Sequence, residues 1–128
     1  KPQVYPKVED DATILVDYGD AQCTIQASWN WTFGRKDMEV YGDKGYLIAA
    51  DRNTLIQRNA ERSPAVKRHI TATDIPVYED PFRYLIDVLN GKIEMPDYGL
   101  YAPANNVIVV RILQAARESV RTGRSIKL

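Results

Sequence analysis

The feature that most constrains this chain is residues 21–31, where apolar and polar side chains alternate without interruption. The odd positions are apolar: Ala21, Cys23, Ile25, Ala27, Trp29 and Trp31. The even positions are polar and uncharged: Gln22, Thr24, Gln26, Ser28 and Asn30. Successive side chains of a β-strand point to opposite faces, so this pattern predicts one long strand with an apolar and a polar face.

Further strands are predicted on both sides of this one. Shorter segments with strand-like composition cover residues 12–18, 37–41, 46–50, 54–58 and 65–71. Turn signals separate them, among them Gly19-Asp20 and the Gly-Asp-Lys-Gly sequence at residues 42–45. Sequential hairpins of this kind build an antiparallel meander.

Two helices are predicted after the strands. Asp80-Pro81 supplies an N-cap and a first-turn proline, and Gly91 ends that helix. Its apolar stripe consists of Phe82, Leu85, Ile86 and Leu89. The second helix is predicted from Pro103 to Thr122, with Gly123 as its stop.

These patterns together predict an α+β fold. We expect a mostly antiparallel sheet of five to six strands, with the two main helices packed on one face as a two-layer sandwich. Two helices cannot cover both faces of such a sheet. The open face is therefore expected to meet solvent, another part of a longer protein or another subunit.

Composition limits the kinds of partner. The 128 residues, 45% of them hydrophobic, fit one domain with a single core. Basic and acidic residues number 17 each, which argues against a nucleic-acid binder. No apolar run approaches the roughly 20 residues of a membrane span, and no signal-peptide pattern occurs, so we expect no membrane association. The cytoplasm is the default compartment, and a periplasmic parent protein is the alternative. The opening Lys1-Pro2-Gln3 lacks an initiator Met, and we expect an excised domain of a longer protein.

The sequence contains few residues that could form a catalytic or metal site. There is no glycine-rich phosphate loop, and one His and one Cys cannot supply a metal site. Cys23 is interpreted as a small core residue, and His69 as an exposed or half-buried strand residue. Spacing alone leaves a Ser-His-Asp arrangement open, although no serine lies in a nucleophile elbow. We expect no catalytic residue, cofactor or metal within these residues.

Three segments together resemble a known family. They are "VEDDATILVDYGDAQCTIQASWNWTFGRKDMEVYGDKGYLIA", "EDPFRYLIDVLNG" and "NNVIVVRILQAARESVRTGRSIKL". Their order and pattern resemble the C-terminal domain of the Gfo/Idh/MocA oxidoreductases, the relatives of glucose-fructose oxidoreductase and inositol dehydrogenase. The resemblance covers about residues 8–128 and is distributed, with no single sharp motif.

The resemblance implies that cofactor binding and substrate binding belong to different domains of a longer protein. Family members bind NAD(P) in an N-terminal Rossmann domain and carry a catalytic Lys in a Glu-Lys-Pro motif, and neither has a match here. The chain would then be the substrate-binding and oligomerisation domain of an NAD(P)-dependent sugar or polyol oxidoreductase, inert as a fragment. NAD or NADP and the catalytic residues would belong to the parent protein. The alternative is a non-catalytic ligand-binding or protein-interaction module.

Candidate site residues lie at the end and on the polar face of the long strand. Trp29 is expected to pack in the core. Trp31, Arg35 and Asn30 are candidate contacts for a sugar or polyol, because binding residues gather in loops at strand ends; packing or a salt bridge is the alternative role. The candidates for a homo-oligomer interface through the open sheet face are Gln22, Thr24, Gln26 and Ser28.

Overall fold

The computed structural model describes residues 6–75, 78 and 80–128. Its strands are β1 (Asp11–Asp17), β2 (Gln22–Ser28), β3 (Met38–Gly42), β4 (Gly45–Ala49), β5 (Thr54–Arg58) and β6 (Val66–His69). Its helices are α1 (Pro81–Leu89) and α2 (Pro103–Thr122). Every strand pairing is antiparallel. The predicted α+β class, with six antiparallel strands and two helices, is confirmed.

The strands form two sheets, where the sequence had suggested one meander. β1 and β2 make a two-stranded ribbon, and β3 to β6 make a four-stranded sheet in sequence order. β2 ends three residues before the predicted strand end. Trp29 N–H still donates to the Asp10 carbonyl at 2.9 Å, but Asn30 N–H then donates to the Ser28 hydroxyl at 3.0 Å. This local turn stops the ladder before Trp31.

The β1–β2 ribbon has exposed faces on both sides. The predicted core packing of Cys23 and Trp29 is wrong: Cys23 is exposed, and Trp29 is 72% exposed. Alternation correctly grouped Cys23 and Ile25 on one face, but no described residue buries that face. In the four-stranded sheet, the central strands β4 and β5 are half-buried except at Leu47. His69, at the end of β6, is exposed, as expected.

The helices belong to a second unit that begins at residue 78. The predicted caps are confirmed. The Asp80 carboxylate accepts hydrogen bonds from the N–H groups of Phe82 (2.8 Å) and Arg83 (3.3 Å), and Gly91 and Gly123 both have φ of 67°. Glycine adopts the left-handed conformation at little cost because it has no Cβ, which explains why a glycine follows the end of each helix.

Three tyrosine rings contact one another in this unit. The ring centroid of Tyr84, on α1, lies 5.1 Å from that of Tyr78 and 4.7 Å from that of Tyr101. Ala102, next along the chain, is buried at the start of α2. The apolar stripe of α1 is exposed instead, with Phe82 76% and Leu89 75% accessible. The predicted packing of both helices on one sheet face stays a prediction.

Candidate functional site

Two of the predicted binding residues come together in the loop between β2 and β3. The guanidinium carbon of Arg35 lies 5.8 Å from the ring centroid of Trp31, within cation–π range. Asp37 joins them, because its two carboxylate oxygens accept hydrogen bonds from Arg35 Nε (2.7 Å) and Nη2 (2.8 Å). We call these three residues the Trp31–Arg35–Asp37 cluster.

The ion pair fixes the charge state of the cluster. The hydrogen bond from Arg35 holds the pKa of Asp37 below its ordinary value, and the same bond raises the pKa of Arg35. Both groups are therefore charged at neutral pH, and the pair has no net charge. The Arg35 side chain remains 57% exposed and that of Asp37 21% exposed, so a ligand can reach both.

The cluster has the chemistry of a binding site. A guanidinium has five N–H donors, and the contact with Asp37 uses two of them. The Asp37 carboxylate accepts two hydrogen bonds from Arg35 and one from its own backbone N–H, and a carboxylate can accept about four, so it can still accept a bond from a ligand. An ionised carboxylate and a guanidinium that cannot lose its proton make a poor general acid–base pair. The cluster therefore suits ligand hydroxyl groups, which both donate and accept hydrogen bonds.

Asp37 was not among the predicted site residues. Asp37 belongs to a series of residues spaced two apart, which begins at Arg35 and continues through Glu39 and Tyr41. The Tyr41 hydroxyl donates to Glu39 Oε2 at 2.9 Å, which raises the pKa of Tyr41, and the ring of Tyr41 lies 5.6 Å from that of Tyr46. Positions 35, 37, 39 and 41 share one parity, so period-2 spacing could have placed them in one row.

Asn30 does not join the cluster. Its backbone bonds to Ser28, as described above, and its side chain hydrogen-bonds the Asp10 carboxylate beside the ribbon. Trp29 lies with Asp10 along a small hollow of about 160 Å³ at the same end of the ribbon. Asn30 therefore connects the loop to the ribbon, and its predicted contact with substrate stays a prediction.

The candidate interface residues share their sheet face with two carboxylates. Antiparallel pairing places Asp11 opposite Ser28 and Asp17 opposite Gln22. Side chains directly opposite each other lie on one face, so this face is uncharged along β2 but acidic at both ends of β1. Gln22, Thr24 and Gln26 are exposed, and Ser28 is half-buried.

A depression with a greater volume than the hollow beside Trp29 lies around the β3–β4 turn. It encloses about 610 Å³ and shares no residue with the cluster. Its basic residues include Arg58, whose guanidinium already donates to the carbonyls of Ala60 and Glu61. The depression is widely open, and none of the predicted binding residues lines it, so we place the candidate site at the Trp31–Arg35–Asp37 cluster.

Within residues 6–75, 78 and 80–128, no three His, Cys, Asp or Glu side chains are grouped so as to hold a metal ion. Neither α1 nor α2, the helices of those ranges, combines the length and apolar composition that a bilayer crossing needs.

Comparisons with protein-family models, with curated proteins and with solved structures found no match to this chain.

Proposed function

We propose that this chain is the substrate-binding and oligomerisation domain of an NAD(P)-dependent sugar or polyol oxidoreductase. The observation that carries the binding role is the Trp31–Arg35–Asp37 cluster. The oxidoreductase role rests on the resemblance of the three sequence segments to the Gfo/Idh/MocA C-terminal domain.

The cluster matches a neutral polyhydroxylated ligand. An aromatic ring offers an apolar face for the C–H groups of a sugar or polyol, while adjacent charged groups hydrogen-bond its hydroxyls more strongly than neutral groups do. Because Asp37 neutralises Arg35, a ligand gains no net charge attraction here, which favours neutral over acidic sugars. Substrate is bound and oriented by these residues, and hydride transfer requires a nicotinamide held by the parent protein.

The first experiment measures ligand binding through tryptophan fluorescence. The chain has two tryptophans, so a Trp29→Phe variant leaves Trp31 as the single reporter. Titration with neutral sugars and polyols, including glucose and inositol, is expected to change its emission saturably with a Kd of about 1 mM, as suits an open site. Arg35→Gln in that background should weaken binding about tenfold, since a hydrogen bond to a charged group is lost.

Lys36→Gln is the matched control, because it removes a positive charge at the next position outside the cluster. It should leave the Kd unchanged. An Arg35→Gln variant that binds as tightly as the control, or no saturable response to any ligand of this class, would contradict the binding role.

The cofactor assignment is tested separately by calorimetry. The isolated chain is expected not to bind NAD⁺ or NADP⁺, whereas the parent protein should bind one of them and reduce it when a polyol is supplied. Micromolar binding of NAD⁺ or NADP⁺ by the isolated chain would contradict the proposal that the cofactor site belongs to the rest of the parent protein.

A protein-interaction module is the second candidate function. The observation that favours it is the exposure of large apolar side chains on both units, among them Trp29, Leu15 (63%) and Phe82. Large exposed apolar patches mark interaction sites. This candidate is preferred if the parent protein shows no nicotinamide-dependent activity and the fluorescence titration gives no binding.

A further inference from the structure

The two sheets present four outer strand edges, and three of them carry charge. β1 has Asp11 and Asp17, β3 has Glu39, and β6 has Lys67 and Arg68. Charged side chains on an edge strand discourage pairing with another chain. β2 is the exception among these edges: its seven residues, Gln22–Ser28, include no charge and no proline. The outer edge of β2 is therefore the one least protected against strand pairing.

The ladder between β1 and β2 shows which backbone groups of β2 point outward. Tyr18 N–H donates to the Ala21 carbonyl at 2.8 Å, and Trp29 N–H donates to that of Asp10 at 2.9 Å. Hydrogen-bonded pairs alternate along an antiparallel ladder, so the intervening bonded pairs involve Cys23, Ile25 and Ala27. The N–H and C=O groups that point away from β1 therefore belong to Gln22, Thr24, Gln26 and Ser28.

The sequence of β2 is complementary to itself in antiparallel orientation. About a two-fold axis at Ile25, Gln22 faces Ser28 of a second copy, Cys23 faces Ala27, and Thr24 faces Gln26. Each pair joins two polar or two small apolar residues, with no charge opposite a like charge. The same operation on β1 would set Asp11 opposite Asp17, which repels. In this register the outward backbone groups of β2 form the hydrogen-bonded pairs, and Ile25 faces Ile25 in a non-hydrogen-bonded pair.

We propose that β2 pairs edge to edge with β2 of a second copy, joining two ribbons into one four-stranded sheet in the order β1-β2-β2-β1. A two-stranded ribbon is at best marginally stable in water. A sheet of three or more strands with an apolar face can be stable by itself. Pairing satisfies the outward backbone groups of β2 and makes one continuous apolar face from the two ribbons. The inference rests on the self-association included in the proposed function and names its contact: the β2 edge.

Site-specific cross-linking tests the register. With Cys23 replaced by alanine, an Ile25→Cys variant places two thiols across the two-fold axis. The Cα atoms of a non-hydrogen-bonded pair are about 4.5 Å apart, inside the range of about 4.4–6.8 Å for disulfides. Mild oxidation at tens of micromolar protein should convert most of this variant into a covalent dimer, seen on a non-reducing gel.

Two controls have thiols that cannot meet in this register. The wild-type thiols of Cys23 would be more than about 13 Å apart, because four residues separate them along the strands. Ile14→Cys in the Cys23→Ala background lies directly across β1–β2 from Ile25, and the two copies would be about 14 Å apart, three strand spacings. Neither should cross-link. Equal cross-linking in any control would overturn the proposed pairing.

Hydrogen exchange on the wild-type chain gives a test that needs no substitution. The amides of Thr24 and Gln26 should be protected when the chain is dimeric and should exchange at least tenfold faster after dilution to monomer. The outward amides of Thr13 and Leu15, on the β1 edge, should exchange rapidly in both states. A dimer by light scattering with unprotected Thr24 and Gln26 refutes the edge contact while leaving self-association intact. A monomer at tens of micromolar refutes both.

Discussion

Replacing Gly45 with alanine is expected to destabilise the four-stranded sheet by about 3 kcal/mol. Gly45 begins β4, next to the carbonyl of Arg58 at the end of β5. A Cβ at Gly45 would lie 2.8 Å from the carbonyl carbon of Arg58 and 3.0 Å from the Cα of Asn59, closer than side chains approach backbone. Both neighbours are backbone atoms, so the strands themselves would have to separate to admit the methyl group.

Gly42 provides a matched control in the same turn. It pairs directly with Gly45 across β3–β4, yet a Cβ there would meet its nearest atom, the Gly45 carbonyl oxygen, at 4.0 Å. Gly42→Ala should change the free energy of unfolding by less than about 1 kcal/mol. Urea unfolding followed by circular dichroism measures both variants. Equal losses of stability would show that close packing at Gly45 is not the cause.

Helix ends and short hairpins were predictable because their signals are local. The bounds of α2, Pro103–Thr122, are those predicted, since a first-turn proline and Gly123 specify both ends within the helix's own sequence. The α1 N-cap, Asp80, was recognised in the same way. The Gly19-Asp20 and 42–45 turns also join the strands that they were expected to join.

The division into two sheets was not predictable from periodicity. The alternation of apolar and polar residues identifies which residues share a face of a strand. It does not determine which strands pair after a long loop. The alternation also does not determine what covers an apolar face, which is why Cys23 and Trp29 were wrongly expected in a core. Trp31 and Arg35 were predicted as candidates because they follow a strand end, and their contact with a ligand stays a prediction. Asp37 was not predicted, because its ion pair with Arg35 depends on the local conformation of the loop.

Loss of the Asp87 carboxylate is expected to destabilise the helical unit in a pH-dependent way. Asp87, on α1, is buried at 6% exposure, and its oxygens accept hydrogen bonds from Lys92 Nζ (3.1 Å) and Arg83 Nε (3.2 Å). The bond from Lys92 is the main cause that lowers the pKa of Asp87, and it outweighs desolvation, which acts in the opposite direction. Because α1 has nine residues and little intrinsic stability, Asp87→Asn should lower its thermal midpoint clearly at neutral pH.

The sign of the pH effect follows from the lowered pKa. A carboxylate whose folded pKa lies below its unfolded value contributes stability that is fully present above the unfolded pKa, about 3.9, and is lost as pH falls through the folded pKa. The difference in midpoint between wild type and Asp87→Asn should therefore be constant from pH 7 to about pH 5 and should shrink below about pH 4. Glu118→Gln is the control, since Glu118 pairs with Arg121 at 3.8 Å while 49% exposed, where ion pairs contribute little. A midpoint difference for Asp87→Asn that stays constant down to pH 2, or that is no larger than that of Glu118→Gln, would show that the charge of Asp87 does not stabilise α1.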